Sequence, residues 1–470
     1  MSSTDKRLFS SLDLEVDLDL IRWLDRQGPR YTSYPTADRF VEAFDSASYE
    51  DMVAISDGKR LERPLSLYFH LPFCASLCYF CACNKVVTRN TSLAEKYVDY
   101  LIREMRLQSA LFGARPAASQ LHWGGGTPTF LPAALRQRLM AATRESFALA
   151  DDAEISIEID PRKVDADDMR QLGELGFNRI SVGVQDFDPR VQKAVNRIQS
   201  VQETRVAIEA GRASGVISVN LDLIYGLPHQ TLASFSQTLD RVIELNPDRL
   251  SVYNYAHLPG RFMPQRRIRA EDLPSPDGKL ELLKLAITRL TGEGYVYIGM
   301  DHFARVDDEL THALEQGRLQ RNFQGYSTHA DCDLVAMGIT GIGKVGPSYS
   351  QNVKTLDEYY DRLDQHELPI MKGIRLGRDD LLRRTIIQSL MCRFALSIDH
   401  LETTSLIDFE SYFASELEQL EVYRREGLVE LDQHWLTVTP KGRLLIRNIC
   451  MLFDRYLRES DSARNYSRVI

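Results

Sequence analysis

Between about residues 64 and 300, short β-branched or aromatic runs alternate with helix-like stretches, and this alternation limits the fold more than any other feature. The runs are LSLYFH (65–70), SQLHW (119–123), EISIEI (154–159), RISVGV (179–184), ISVNLDLI (217–224), RLSVYNY (249–255) and YVYIGM (295–300). Helical periodicity fills the intervals, as in AEKYVDYLIREMRLQSALF (94–112) and TLASFSQTLDRVIEL (231–245). Strands alternating with helices pair in parallel, because each helix is a crossover. Six or seven such units predict an α/β domain built as a full or partial (β/α) barrel.

The ends of these strands carry unusual residues. A cysteine cluster follows the first, and GGGTP (124–128) follows the second. The third carries Glu158 and the fourth runs into Gln185. The fifth holds Asp222, and the sixth leads into Ala256 and His257. In a βα barrel these ends share one face, and chemistry sits there.

From about residue 375 helical periodicity dominates, in RDDLLRRTIIQSLMCRF (378–394) and FESYFASELEQLEVYRREG (409–427). A short hairpin and a further helix follow, a winged-helix-like arrangement that either packs on an enzyme core or reads nucleic acid. The net charge of −9 opposes general nucleic-acid affinity. Ahead of the barrel, GPRYTSYPTA (28–37) is rich in turn formers. It is either a surface strap or an arm that carries Arg30 and Tyr31 to an active site. With 470 residues one core is too few. The expected organisation is an N-terminal arm over 1–40, a catalytic barrel over 41–370 and a mostly helical C-terminal domain with a small hairpin over 371–470.

No apolar run reaches the length of a membrane span. The N-terminus alternates acidic and apolar residues without a signal core, so a cytoplasmic chain is expected. Of seven cysteines, Cys74, Cys78, Cys81 and Cys83 cluster, while Cys332, Cys392 and Cys450 are scattered. An odd count without an export signal argues against a disulfide framework. The scattered three read as small buried hydrophobes, and the clustered ones as metal ligands.

Their segment is HLPFCASLCYFCACN (70–84). Zinc normally draws four ligands from two separated pairs. Here one loop offers three thiolates, the soft donors of an iron–sulfur cubane. Three ligands leave one iron open, and an open position binds a substrate group. The amino and carboxylate groups of S-adenosylmethionine (SAM) suit it. Tyr79 and Phe80 either pack on an adenine or shield the cluster. The glycines allow close backbone approach to a ligand. Glu158 and Asp222 sit on apolar strands, where a carboxylate needs a partner. That partner is a ribose hydroxyl or a salt bridge within the barrel.

Several segments together carry a family resemblance: GPRYTSYPTA (28–37), CYFCACNKVVTR (78–89), LHWGGGTPTFL (121–131), NLDLIYGLPHQT (220–231), YAHLP (255–259), GMDHFARVDDEL (299–310), RNFQGYSTHADCDL (321–334) and TPKGRLLIRNICMLFDRYL (439–457). Across nearly its whole length the chain resembles the oxygen-independent coproporphyrinogen III oxidases, or coproporphyrinogen III dehydrogenases, of the radical SAM superfamily. The CxxxCxxC motif alone marks only the superfamily. The added Cys83, the NKVVTR run and the arm separate it from the haem-chaperone-like relatives on the same scaffold. The resemblance implies a partial (β/α) barrel of the radical SAM type, a [4Fe–4S] cluster on Cys74, Cys78 and Cys81, and SAM. It implies that Tyr68, Gly125, Glu158 and Ile342 hold the cluster-bound SAM. A second SAM site would use Phe80, Gly126, Thr127, Gln185, Arg197, Asp222 and Ala256. GITGIGKVGPSYSQN (338–352) departs from the SAI-containing run expected around Ile342. The implied reaction turns two propionates of coproporphyrinogen III into vinyls without oxygen, with Cys83, Tyr68 and Arg30 at the reacting side. Arg30, Arg305, Arg321 and Lys344 are candidate partners for the substrate carboxylates, against the commoner fate of a solvated surface charge. A small reductase or flavodoxin-like electron donor and a monomeric chain without nucleic acid are expected. Haem binding without decarboxylation, or DNA reading by the C-terminal wing, would be the competing functions.

Overall fold

The computed structural model describes residues 14–57, 64–329, 332–458 and 466. Residues 1–13 of the expected arm lie outside the described residues. The chain divides into two compact units, Phe40–Leu282 with Asp331–Arg375, and Met1–Arg39 with Leu283–Ala330 and Leu376–Ile470.

The first unit is built on one sheet. Its elements run β1 (Leu65–Leu71), α1 (Ser92–Leu111), β2 (Ala117–Gly125), α2 (Ala133–Ser146), β3 (Ala148–Ile159), α3 (Ala166–Glu174), β4 (Arg179–Gln185), α4 (Val201–Ala213), β5 (Ser218–Tyr225), α5 (Leu232–Glu244) and β6 (Arg249–Asn254). After the insertion come β7 (Asp333–Met337), β8 (Ile342–Val345), β9 (Ser348–Asn352), α6 (Leu356–Asp364) and β10 (Ile370–Arg375). The strand order is β10-β9-β8-β7-β1-β2-β3-β4-β5-β6. Strands β1 to β6 are parallel, and β7 is parallel to β1. Strands β8, β9 and β10 follow antiparallel. Within the unit β6 and β10 do not pair, so this is a partial (β/α) barrel. The six expected strands of this unit are present. Strands β7 to β10 were not anticipated, because IGKV and SYSQN are too polar and too glycine-broken to read as strands alone. Pairing supplies what local propensity lacks.

The central residues of the strands alternate in burial. Leu67 and Phe69 of β1, Leu121 and Trp123 of β2, and Val182 and Leu221 of β4 and β5 are fully buried. Between them stand Tyr68, His122, Ser156, Ser181 and Asn220, all only partly covered. A parallel sheet apolar on both faces would read as continuous hydrophobic runs. Here one face is apolar and the other is a polar inner surface. The crossover helices start where side chains cap them: Asp165 with Asp168, Ser200 with Glu203 and Thr231 with Ser234 form reciprocal capping boxes.

The second unit joins three stretches of chain, which departs from the three consecutive segments expected. YVYIG (295–299) pairs antiparallel with HFAR (302–305). The insertion belongs here because Arg30 pairs with Asp301 at 2.6 Å and the Tyr326 hydroxyl donates to the Met391 carbonyl. The arm is no surface strap. Tyr31 and Tyr34 are buried, the Tyr31 hydroxyl donates to Asp454, and Asn448 donates to the Leu24 carbonyl. The expected hairpin spans Val429–Leu431 and Trp435–Val438, and Ala395–Ser397 adds a third strand. Cys332, Cys392 and Cys450 are buried as expected. Among the described residues no helix is long and apolar enough to cross a membrane.

A buried carboxylate organises the turn between β7 and β8 in the first unit. Glu104 on α1 accepts from the Gly338 N–H (2.7 Å), Asn352 Nδ2 (2.7 Å) and the Tyr359 hydroxyl (2.6 Å). Tyr97, two turns earlier, donates to the His70 carbonyl and accepts from the Ile339 N–H. Together they lock the end of β1 to the turn ahead of Ile342. Burial pushes Glu104 up to about 7, although its hydrogen bonds from Tyr359, Gly338, Asn352 and Gln108 pull the other way. Glu104→Gln turns one acceptor into a donor facing donors, which costs about 1–3 kcal/mol. Urea denaturation at pH 8 should show that loss; equal stability of variant and parent would mean the network does not hold the turn.

Candidate active site

The cysteine loop leaves β1 directly. Phe73 and Cys74 form a two-residue parallel ladder with Val86 and Val87, closing the loop at its root. The glycine run of β2 docks beneath it. Gly126 N–H donates to the Leu71 carbonyl (2.9 Å) and Thr127 N–H to the Phe73 carbonyl (2.8 Å). A Cβ at Gly126 would stand 2.6 Å from the Pro72 carbonyl, and Gly125 has φ +113°. Only glycine allows both.

Polar groups surround the thiols. The Thr127 hydroxyl lies 3.6 Å from Cys74 Sγ. Arg197 Nη1 and Arg162 Nη2 lie 3.7 and 3.8 Å from Cys78 Sγ, and both guanidiniums share Asp160. Burial raises the Cys74 thiol to about 11. Cys81 moves the opposite way, because the Cys83 thiol hydrogen-bonds to its sulfur and Lys85 adds a positive charge. Lys85 Nζ also donates to the Cys81 and Cys83 carbonyls, both at 3.2 Å. Among the described residues no three His, Cys, Asp or Glu side chains converge tightly enough for a single metal ion. A cubane asks for something else: three thiolates, each on its own iron and therefore further apart. The donor set of soft sulfurs with guanidinium and hydroxyl partners fits that group.

The inner face continues from this loop. Tyr68, His122 and Ser156 stand side by side in register, as do Glu158, Ser181 and Asn220. The His70 imidazole joins sheet to loop. Its Nε2 lies 3.0 Å from the Asn84 carbonyl, an acceptor, so Nε2 carries the proton and Nδ1 accepts from the Tyr68 hydroxyl. Glu158 accepts from the Gly125 N–H at 3.1 Å and faces His122 Nε2 at 3.6 Å. Its side chain keeps 43% of its accessible area, yet desolvation is the largest influence on its acidity. It stands on the polar inner face of the sheet, the concave side or hollow that the other inner-face residues share. Burial would raise it, but His122 and the Gly125 N–H bring it below the ordinary value. Asp222 accepts from Ser181 Oγ (2.8 Å) and Asn220 Nδ2 (3.0 Å). Burial and the Glu158 charge lift it to about 6.

The first unit thus gathers the four clustered cysteines, Tyr68, Phe80, Gly125, Gly126, Thr127, Glu158, Gln185, Arg197, Asp222, Ala256 and Ile342 on its own elements. Gln185 ends β4 with φ +69°, Ala256 follows β6, and Ile342 opens β8. Arg197 is engaged with Gly183, Asp160 and Cys78. Tyr79 and Phe80 pack against Val191, Val195, Leu227, Tyr255 and Ile268. Arg30 belongs to the second unit, as do Arg305 and Arg321. The sequence reading passed over His70, Lys85, His122, Asp160 and Arg162. Alternation within LYFH and LHW placed both histidines on the inner face, and Asp-Pro-Arg closes β3 as GGGTP closes β2.

Asp222 gives a pH test. A carboxyl whose folded pKa lies above its ordinary value takes up a proton on folding, so stability falls as pH rises through that window. The window here runs from about 4 to about 6. Asp222→Asn should gain on the parent chain as pH rises through it, measured by urea denaturation at intervals of one pH unit. Parallel pH profiles would exclude Asp222 as the group that binds the proton.

Comparison with known proteins agrees with this geometry. The radical SAM superfamily model matches residues 68–242 and the HemN C-terminal domain model residues 376–445. The chain is 52% identical over 456 residues to the oxygen-independent coproporphyrinogen III oxidase of Pseudomonas aeruginosa, covering 97% of this chain and 98% of that protein. Identity to the Escherichia coli K12 protein of the same name is 50%, covering 97% and 99%. The solved structure of E. coli coproporphyrinogen III oxidase (HemN), described as a radical SAM enzyme, superimposes with a TM-score of 0.90 at 50% identity, over 94% of this chain and all of that one. Radical SAM proteins use a [4Fe–4S] cluster and SAM, and the thiol loop fits that pair. By likeness along its whole length, the chain belongs to the oxygen-independent coproporphyrinogen III oxidase family of radical SAM enzymes.

Proposed function

We propose that the chain catalyses the oxygen-independent oxidative decarboxylation of two propionate side chains of coproporphyrinogen III to vinyl groups, giving protoporphyrinogen IX for porphyrin and haem biosynthesis. The observation that carries this reading is the thiol loop docked on Gly125–Thr127 beside a polar hollow, in a chain half identical to named coproporphyrinogen III oxidases. Cys74, Cys78 and Cys81 are the proposed cluster ligands. Arg162 and Arg197 stand beside the Cys78 sulfur, and the Cys83 thiol and Lys85 favour the ionised form of Cys81. Bound together, cluster and SAM supply a 5′-deoxyadenosyl radical, the hard chemistry that the side chains cannot do.

The chain's own task is binding, orientation and exclusion of water. Tyr68, Gly125, Glu158 and Ile342 are proposed to hold one SAM. Phe80, Gly126, Thr127, Gln185, Arg197, Asp222 and Ala256 are proposed for a second. Carboxylates at Glu158 and Asp222 suit ribose hydroxyls. At each propionate the β-carbon gives up one hydrogen atom, the carboxylate leaves as CO2 and one electron passes to an acceptor. Cys83 and Tyr68 are proposed at the reacting side, and Arg30 as a carboxylate partner on the arm. Free clustered thiols suit the reducing cytoplasm. A monomer served by a small reductase or flavodoxin-like donor completes the reading.

The test is an anaerobic assay of reconstituted protein with SAM, reductant and coproporphyrinogen III. Equal appearance of 5′-deoxyadenosine and CO2, with vinyl product by mass spectrometry, is expected. Cys81→Ala should lose the cluster, seen as loss of iron, sulfide and the low-temperature EPR signal. Cys83→Ala should keep all three and lose at least about tenfold in turnover, a barrier increase of about 1.4 kcal/mol. Methylated product with S-adenosylhomocysteine would assign the wrong reaction class, and loss of the cluster in Cys83→Ala the wrong ligand set.

A further inference from the structure

In the second unit Arg447 feels the charges of two other guanidiniums, Arg30 and Arg321. Arg447 is buried, and its Nε and Nη2 donate to the carbonyls of Pro29 and Gly28. Burial pushes Arg447 down to about 9, and the charges of Arg30 and Arg321 push it the same way. Arg30 is matched by Asp301. Arg321 has no such match. It is 6% exposed, and among the described residues no carboxylate lies within ion-pair reach of it.

The short hairpin of Gln320–Asn322 and Gly325–Ser327 sets Arg321 opposite Tyr326, whose ring centre lies 4.9 Å from the guanidinium carbon. The cation lies over the ring. This contact leaves the in-plane N–H groups untouched. Nε and Nη1 of Arg321 are both buried without a hydrogen-bond partner. A guanidinium offers two bidentate edges, and each of them contains one of these nitrogens. Arg136 also has two unmet nitrogens, but Asp168 neutralises it at 2.5 Å. A buried cation with neither counter-charge nor acceptors is costly. Its retention points to an acceptor that arrives with a ligand.

We propose that Arg321 anchors a carboxylate-binding site in this unit, which takes a propionate of the tetrapyrrole substrate. The inference rests on the decarboxylation reading and deepens it. An alkyl carboxylate supplies the missing charge and accepts along either edge of the guanidinium. Tyr326, fixed by its bond to the Met391 carbonyl, holds the guanidinium plane while the ligand exchanges. Arg447 adds its charge nearby, so an anion is favoured over a neutral ester.

Fluorescence titration of the anaerobic holoenzyme with coproporphyrin III, the oxidised tetracarboxylate, tests the site. Arg321→Met should weaken binding about tenfold or more, with Arg321→Lys in between. Removing an unmatched charge should leave the melting temperature unchanged or higher, whereas an arginine that only holds the fold together would lower it. Unchanged affinity in Arg321→Met, or weaker binding together with a lower melting temperature, overturns the assignment and leaves the decarboxylation reading standing. A parent holoenzyme that binds no coproporphyrin overturns both.

Discussion

The close approach of two backbones at the ends of β1 and β2 is the constraint on which the site depends. Gly126 fits against the Pro72 carbonyl because it has no side chain, and the hydrogen bonds to Leu71 and Phe73 follow from that fit. The root of the cysteine loop is thereby fixed, with Thr127 beside Cys74. The same glycine run reaches Glu158: the Gly125 N–H meets its carboxylate, and a Cβ on Gly124 would stand 2.9 Å from Oε1. One stretch of backbone thus sets both the thiols and the nearest carboxylate of the hollow. Metal and ligand sites need such rigid support to hold their geometry.

The repeating part of the fold was readable because local and global signals agree there. β-branched runs, amphipathic helices and capping boxes recur from β1 to β6, and each favours the same parallel unit. Agreement fails at β7 to β10. DLVAM is short, IGKV contains glycine, and SYSQN is polar although mostly buried. Their burial comes from pairing with β1 and with one another, and from Glu104 and Tyr97, which are distant in sequence. A window of a dozen residues carries no trace of such contacts. YVYIGM forms the strand that its chemistry indicates, and its antiparallel partner is the next strand of a hairpin, a pairing that the βα alternation does not announce.

Within the site, spacing revealed what lies close in sequence. Three cysteines in eight residues and a triple glycine are local signals. Their environment is not local. Arg162 and Arg197 reach Cys78 from 84 and 119 residues away, and His70 was hidden inside an ordinary strand. What could have exposed the histidines is the alternation itself. If Leu67, Phe69 and Leu71 face the helices, Tyr68 and His70 must face the hollow, and His122 follows from its register with Tyr68.

Buried charge separates support from function in this chain. Glu104 has donors on several elements and Arg136 has Asp168, and each ties elements together. Glu158 and Asp222 share one hollow but take opposite shifts. The first is held ionised by His122 and Gly125, and the second is lifted by burial and by the first's charge. Such a pair carries about one negative charge near pH 5 and close to two near neutrality, where a cation or hydroxyl donors would relieve the repulsion. Stability alone would select against that arrangement, since a proton must be bound or a penalty borne at every pH above about 4. Buried charges that no opposite charge of the fold neutralises mark places that a ligand completes. Asp222 in the barrel and Arg321 in the other unit are two such places, and they ask for ligands of opposite charge.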